Sequence, residues 1–300
     1  MKPYTYAWRE GESIMSKITE LRHVVVTPSR NEFAFLPDLA ESMTKQSIVP
    51  SIWVVVLHNS GDESRNIMDG YSERFDWVSV ISVNDNSKRK RGGQIASLVN
   101  KGLELCGEDW DFFSKIDADM VLPNDYFEQI LTEFKTSPKL GITSGSCYTM
   151  DRGRKRVETV SPDHTRGGLK TYRRQCYDRI GGIMELDGWD GIDNIMAQMA
   201  GWQTRSTNSL EVLHQRTTGS HSGVVSGCFE SGRFAHSMGY YPPFMLARSI
   251  HRMARRPFLI GGISMFLGYS YSILTRQKRR TEPAVVKYLR EKQKNRIKPW

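Results

Sequence analysis

Only four cysteines occur in 300 residues, and Cys106, Cys147, Cys176 and Cys228 are too widely spaced to form a C-x-x-C pair. That argues against a zinc cluster and a thioredoxin-like site, and it fits a reducing compartment better than a disulfide framework. No uninterrupted apolar run reaches the roughly 18 residues that mark a membrane span. The nearest, residues 257–275, is diluted by Gly261, Gly262, Gly268 and several hydroxyl side chains. The opening Met1-Lys2-Pro3-Tyr4 lacks an apolar segment of signal-peptide length, so the expectation is a cytoplasmic protein. Acids are scarce near the C-terminus: from Arg248 onward 14 Lys and Arg face only Glu282 and Glu291, a balance of +12. The whole chain carries +9, so residues 1–247 carry −3. The basic excess belongs to the tail, which suits an anionic membrane surface and counts against a nucleic-acid-binding body.

What is present is an alternation of short β-branched runs and helical segments. His23-Val24-Val25-Val26-Thr27-Pro28 reads as a strand buried on both faces. A helix over 35–46 follows, then a second strand over 51–57, a helix over 67–75 and a third strand over 77–81. A helix over 94–106 leads to a fourth strand over 111–116, which ends in Asp117-Ala118-Asp119. Such alternation predicts an α/β fold with a doubly wound, mostly parallel sheet flanked by helices. Ligands bind such sheets beyond the carboxyl ends of the strands, where the polar clusters after Val26, Leu57 and Ile116 converge. Three segments follow: an extension over 1–20, a main α/β domain over 21–240 and a basic, aromatic-rich helical tail over 241–300. Two carboxylates one residue apart at a strand end suit a hard divalent cation, Mn²⁺ or Mg²⁺, that also binds phosphate oxygens.

Thr27-Pro28-Ser29-Arg30-Asn31-Glu32, Asn59-Ser60-Gly61-Asp62, Asn100-Lys101-Gly102-Leu103 and Asp117-Ala118-Asp119 occur in that order. With Gly181-Gly182-Ile183 and Gly188-Trp189-Asp190-Gly191-Ile192-Asp193, they resemble family 2 of the nucleotide-sugar glycosyltransferases, which have the GT-A fold. The resemblance implies that Pro28, Arg30 and Glu32 line the nucleotide pocket, with Glu32 on the ribose. It puts Asp117 on ribose or metal and makes Asp119 a metal ligand on the diphosphate. Lys90 or Arg91 would approach the nucleotide from a basic loop. Asn59 stands where the family usually supplies an Asp to the base, a departure that leaves the base open. The family's acidic pair is also broken here, at Ile192 of Gly191-Ile192-Asp193, so the second acid, Asp193, is the implied base that deprotonates the acceptor, with Asp190 as the lesser alternative. His214 is the second metal ligand implied, and His221 a lesser one. Trp189 and Trp202 could stack on a sugar or pack in the core.

The activity implied is inverting transfer from a nucleotide-diphosphate sugar to a sugar or lipid-linked hydroxyl, in polysaccharide or glycolipid synthesis. The enzyme would lie peripherally on the inner face of the plasma membrane. Two rivals remain: a catalytically silent sugar-nucleotide or membrane-binding subunit, and a nucleotidyltransferase. The second is disfavoured because Ser29-Arg30-Asn31-Glu32 contains no phosphate-loop glycine.

Overall fold

The computed structural model describes residues 21–87, 92–151, 153–158, 161, 163–216, 223–279 and 281–297. The expected extension over 1–20, Lys90, Arg91 and His221 lie outside the described residues. Four parallel strands open the sheet: β1 (His23–Ser29), β2 (Ile52–His58), β3 (Val78–Val83) and β4 (Phe112–Ile116), in spatial order β3-β2-β1-β4. Helices α1 (Leu36–Thr44), α2 (Ser64–Ser72) and α3 (Gly93–Leu105) connect them.

Side-chain alternation along β1 explains why helices cover both faces. Val25 joins Trp53, Val55 and the α1 residues Leu36, Leu39 and Met43 in one core. Val24 and Val26 point the other way, onto Ala96, Val99 and Leu103 of α3. All three valines are fully buried, and each contributes about 1.5–3 kcal/mol by leaving water. Gly102 lets α3 approach: a methyl group there would lie 2.5 Å from Val26 Cγ1 and 2.8 Å from Val56 Cγ2.

Beyond β4 the sheet becomes mixed. After β5 (Met120–Val121) and α4 (Tyr126–Thr136) come β6 (Leu140–Asp151), β7 (Arg154–Glu158) and β8 (Leu169–Arg173). Helices α5 (Arg174–Ile180) and α6 (Trp189–Met199) precede β9 (Gln203–His214). β8 runs antiparallel between β4 and β6, β9 is parallel to β6, and the short β5 closes the far side against β9. The chain ends in α7 (Val224–Ser237), α8 (Pro242–Met253), α9 (Ile260–Leu274) and α10 (Pro283–Ile297). Cys228 and Ala235 of α7, Met245 of α8, and Met265 and Tyr269 of α9 form a small separate core. No helix among the described residues is long and apolar enough to cross a membrane.

Candidate active site

Parallel pairing of β1, β2 and β4 delivers three polar loops to one rim, and side chains tie these loops together. Asn31 and Asn59 both take left-handed backbone angles, φ 54 and 45, which Asn tolerates better than most residues. Asn31 Oδ1 accepts the Gly61 amide at 3.0 Å, and the Asn31 amide donates to Ser60 Oγ at 3.1 Å. Asp62 accepts the amides of Phe33 and Ser64, each at 3.1 Å. Pro28 is half-buried within β1, and Arg30 Nη1 donates to the Ser87 carbonyl at 3.4 Å.

Asn59 is engaged by a residue that the sequence did not single out. Its amide nitrogen donates to Asp85 Oδ1 at 2.9 Å, and its oxygen accepts the Asp85 amide at 2.8 Å. His58 Nε2 lies 3.1 Å from the same carboxylate oxygen. Hydrogen bonds from Ser87, Asn59 and His58 hold the Asp85 carboxyl well below the usual range. A carboxylate is thus restored beside the end of β2, supplied by the loop after β3.

Asp119 and His214 meet because β5 pairs with β9. Met120 stands opposite His214 in the register, and the Gln215 amide donates to the Asp119 carbonyl at 2.9 Å. His214 Nε2 lies 3.4 Å from Asp119 Oδ2, and its Nδ1 lies 3.1 Å from Glu158 Oε1. Arg166 pairs with the other Glu158 oxygen at 2.7 Å. Arg216, two residues past His214, donates from Nε and Nη2 to Asp119 Oδ2 at 3.1 and 2.9 Å. Its Nη2 also reaches Glu32 Oε1 at 2.9 Å, and its guanidinium sits 5.1 Å from the Phe35 ring centre. One cation therefore joins the loops after β1 and β4.

Burial alone would raise the Asp119 carboxyl, but His214 and Arg216 outweigh it and hold it below the ordinary value. Burial would lower the His214 imidazole; Asp119 and Glu158 prevail and raise it to about 9. No cluster of three or more His, Cys, Asp or Glu side chains able to hold a metal occurs among the described residues. Asp119 and His214 could nevertheless supply two ligands to a hard cation that takes its others from diphosphate and water, as Mg²⁺ commonly does. Cation binding there would require Arg216 to release Asp119 and His214 to give up its proton.

The acids of the segment around 190 divide sharply. Asp193 is 3 % exposed. Its Oδ1 pairs with the fully buried Lys170 at 2.5 Å and accepts the Asn194 amide at 2.6 Å, while Tyr172 donates to Oδ2. Burial raises the Asp193 carboxyl and lowers the Lys170 ammonium. These bonds make Asp193, the base expected from the sequence, an anchor of α6 on β8 and engage both of its carboxylate oxygens. Asp190, one turn earlier, is half-buried, and among the described residues no hydrogen bond or ion pair engages its carboxylate. It lies against Gly167, where a methyl group would come 2.8 Å from Asp190 Oδ2. On neighbouring Gly168 the same group would come 2.7 Å from Asp117 Oδ2. Asp190 and Asp117 thus flank one glycine pair, and Asp117 is paired with Lys115. Trp189 is buried between the Lys115 and Lys170 ammoniums, at 5.7 and 5.4 Å, so it is a core residue. Trp202 is half-buried and packs on the same core.

A parallel half-sheet with acids at its carboxyl rim, extended by antiparallel strands, is the GT-A architecture. The glycosyl transferase family 2 model matches residues 24–185, and the chain belongs to that family. Among solved structures, the chain resembles the mannosyltransferase PcManGT from Pyrobaculum calidifontis in complex with GDP-Man and Mn²⁺. The TM-score is 0.56 at 15% identity, over 90% of this chain and 78% of that one. It also resembles S. aureus TarS 1-349 in complex with UDP, with a TM-score of 0.52 and 14% identity over 65% of this chain; the match spans 61% of that chain. GalNAc-T7 with UDP, GalNAc and Mn²⁺ gives a TM-score of 0.50 and 13% identity over 65% of this chain and 44% of that one. At these identities the likeness concerns the fold. No match was found among curated proteins.

Proposed function

We propose that this glycosyltransferase moves a sugar, with inversion, from a nucleoside-diphosphate donor to a hydroxyl on a saccharide or lipid-linked acceptor. The observation that carries this reading is the Glu32–Arg216–Asp119 bridge at the sheet rim, where two buried acids are held together by one guanidinium. Glu32 and Asp117 would meet the ribose, and Pro28 and Arg30 would line the base pocket with Asn59 and Asp85. Asp119 and His214 would hold Mn²⁺ or Mg²⁺. When bound, that ion offsets charge developing on the departing diphosphate. Arg216, once released from Asp119, has the fork geometry to receive a phosphate oxygen pair.

Asp190 is the base in this scheme. Its carboxylate takes the acceptor proton as the acceptor oxygen bonds to the anomeric carbon and the sugar–phosphate bond breaks. The free carboxylate beside Gly167 supports that role, whereas Asp193 would have to abandon Lys170 and Tyr172 to act. The basic tail supports work at an anionic membrane on the cytoplasmic side, in polysaccharide or glycolipid synthesis.

The test is release of nucleoside diphosphate from a panel of UDP-, GDP- and dTDP-sugars with Mn²⁺. Turnover of one donor class is expected, reduced by about 10²–10⁴ in Asp190→Asn. Failure to bind or turn over any donor would instead leave a silent subunit.

A further inference from the structure

Helix α9 is turned inside out for a helix in water. A surface helix normally buries its large apolar stripe and exposes its small and polar residues. Here the buried face comprises Gly261, Gly262, Ser264, Met265, Gly268, Tyr269 and Ser272. The outward face carries Ile260, Ile263, Phe266, Leu267, Ile273 and Leu274, exposed by 37 to 81 %. Phe258 and Leu259 extend this surface just before the helix, and Leu246 and Ile250 add to it from α8.

The inward glycines are required by the packing. A methyl group on Gly268 would lie 2.0 Å from the Phe229 carbonyl oxygen of α7, and one on Gly232 would lie 1.9 Å from that of Met265. On Gly262 it would lie 2.3 Å from the Ser249 carbonyl oxygen of α8. Backbones in contact through small residues, with large apolar groups facing out, is how helices pack when the surroundings are lipid.

Charge selects the occupant. From Ser231 to Thr281 the chain contains no Asp or Glu. Arg255 and Arg256 stand exposed at one end of α9, and Arg276, Lys278 and Arg279 at the other, with no carboxylate partner among the described residues. A second copy laid across this face would bring cations against cations, whereas anionic headgroups would meet them with opposite charge. The length of α9, 15 residues or about 22 Å, falls short of the roughly 20 residues that cross a bilayer.

We propose that the outward face of α9, with Leu246 and Ile250 of α8, lies in the plane of an anionic bilayer as an interfacial anchor. The anchor also connects to the reaction centre. Phe234 of α7 packs so closely on Gly188 that a methyl group there would sit 1.8 Å from its ring, and Gly188 caps the helix that carries Asp190. A membrane-held α7 thus fixes the acceptor side of the cleft near lipid; this last link rests on the proposed role of Asp190, while the anchor itself does not.

Flotation of the full chain with phosphatidylcholine vesicles, alone or mixed with phosphatidylglycerol, tests the anchor. The protein is expected to float with the anionic vesicles. The triple variant Ile263→Ser, Leu267→Ser, Leu274→Ser, altered only at exposed positions, is expected to lose binding by about tenfold or more. Arg255→Ala with Arg256→Ala is expected to weaken binding chiefly at low salt. A wild type that stays with neither vesicle, or a triple variant that floats as well as wild type, overturns the proposal. So does a two-chain mass by light scattering that the triple variant halves, which would make this face an interface between copies. Donor binding measured without vesicles on the same preparation separates failure of the anchor from failure of the proposed function.

Discussion

Asp190 and Asp193 stand three residues apart on α6, yet their surroundings assign them opposite work. Lys170 and Tyr172 alternate along β8 onto the same face and both close on Asp193. Asp193→Asn leaves a buried ammonium uncompensated, so it is expected to destabilise the fold by about 3–5 kcal/mol in urea denaturation. Asp190→Asn should change stability by less than about 1 kcal/mol while removing turnover. Equal stability of the two variants would contradict the division. His214 gives a second residue-scale expectation. Its imidazole is raised from 6.5 to about 9 in the fold, so its stabilisation is complete below 6.5 and lost as pH climbs through 9. By linkage this is worth about 3 kcal/mol. The thiols of Cys106, Cys147 and Cys176, pushed up to about 12 by burial from 9.0, begin to cost stability as pH nears 9 and add to the loss at the top of that window. Chelator-treated wild type should therefore lose urea resistance between pH 6.5 and 9, and His214→Gln should flatten that loss. An unchanged slope in the variant would show that His214 is not the group involved.

At the scale of elements, the parallel half was legible because β1, β2 and β3 are rich in β-branched residues, β4 opens on two phenylalanines, and polar loop residues follow. The D-x-D rim and the Asn100-Lys101-Gly102 helix could be placed for the same reason. Gly102→Ala tests that packing: its methyl would press on Val26 and Val56, and a loss of about 1–3 kcal/mol is expected in thermal or urea unfolding. A neutral outcome would mean that α3 can lift from the sheet. The mixed half was less legible. β8 carries a fully buried lysine, and β6 buries Thr143, Ser144 and Ser146, so neither shows an apolar stripe. Which acid faces the cleft depends on β8, and so the base could not be read from the 190 region alone. Arg216 left a fainter signal: a lone arginine directly after a strand-ending His214-Gln215. Asp85 left none, because its partner Asn59 comes from a loop 26 residues away.

Across the whole molecule, charge and apolar surface are separated. Acids gather at the rim of the sheet, while the C-terminal helices present cations around an outward apolar face. Under the proposed function and anchor, that division would let the donor arrive from water and the acceptor from lipid. The rim is the part on which the proposed function depends: there Asp119 and His214 would grip a cation together with a diphosphate. Isothermal titration of UDP, GDP and dTDP, with and without Mn²⁺, tests this most directly when wild type and Asp119→Asn are compared. The account predicts that one of the three nucleotides binds wild type only with Mn²⁺, and that the substitution weakens binding by about tenfold or more. Binding indifferent to both Mn²⁺ and Asp119, or no binding of any of the three, would contradict it.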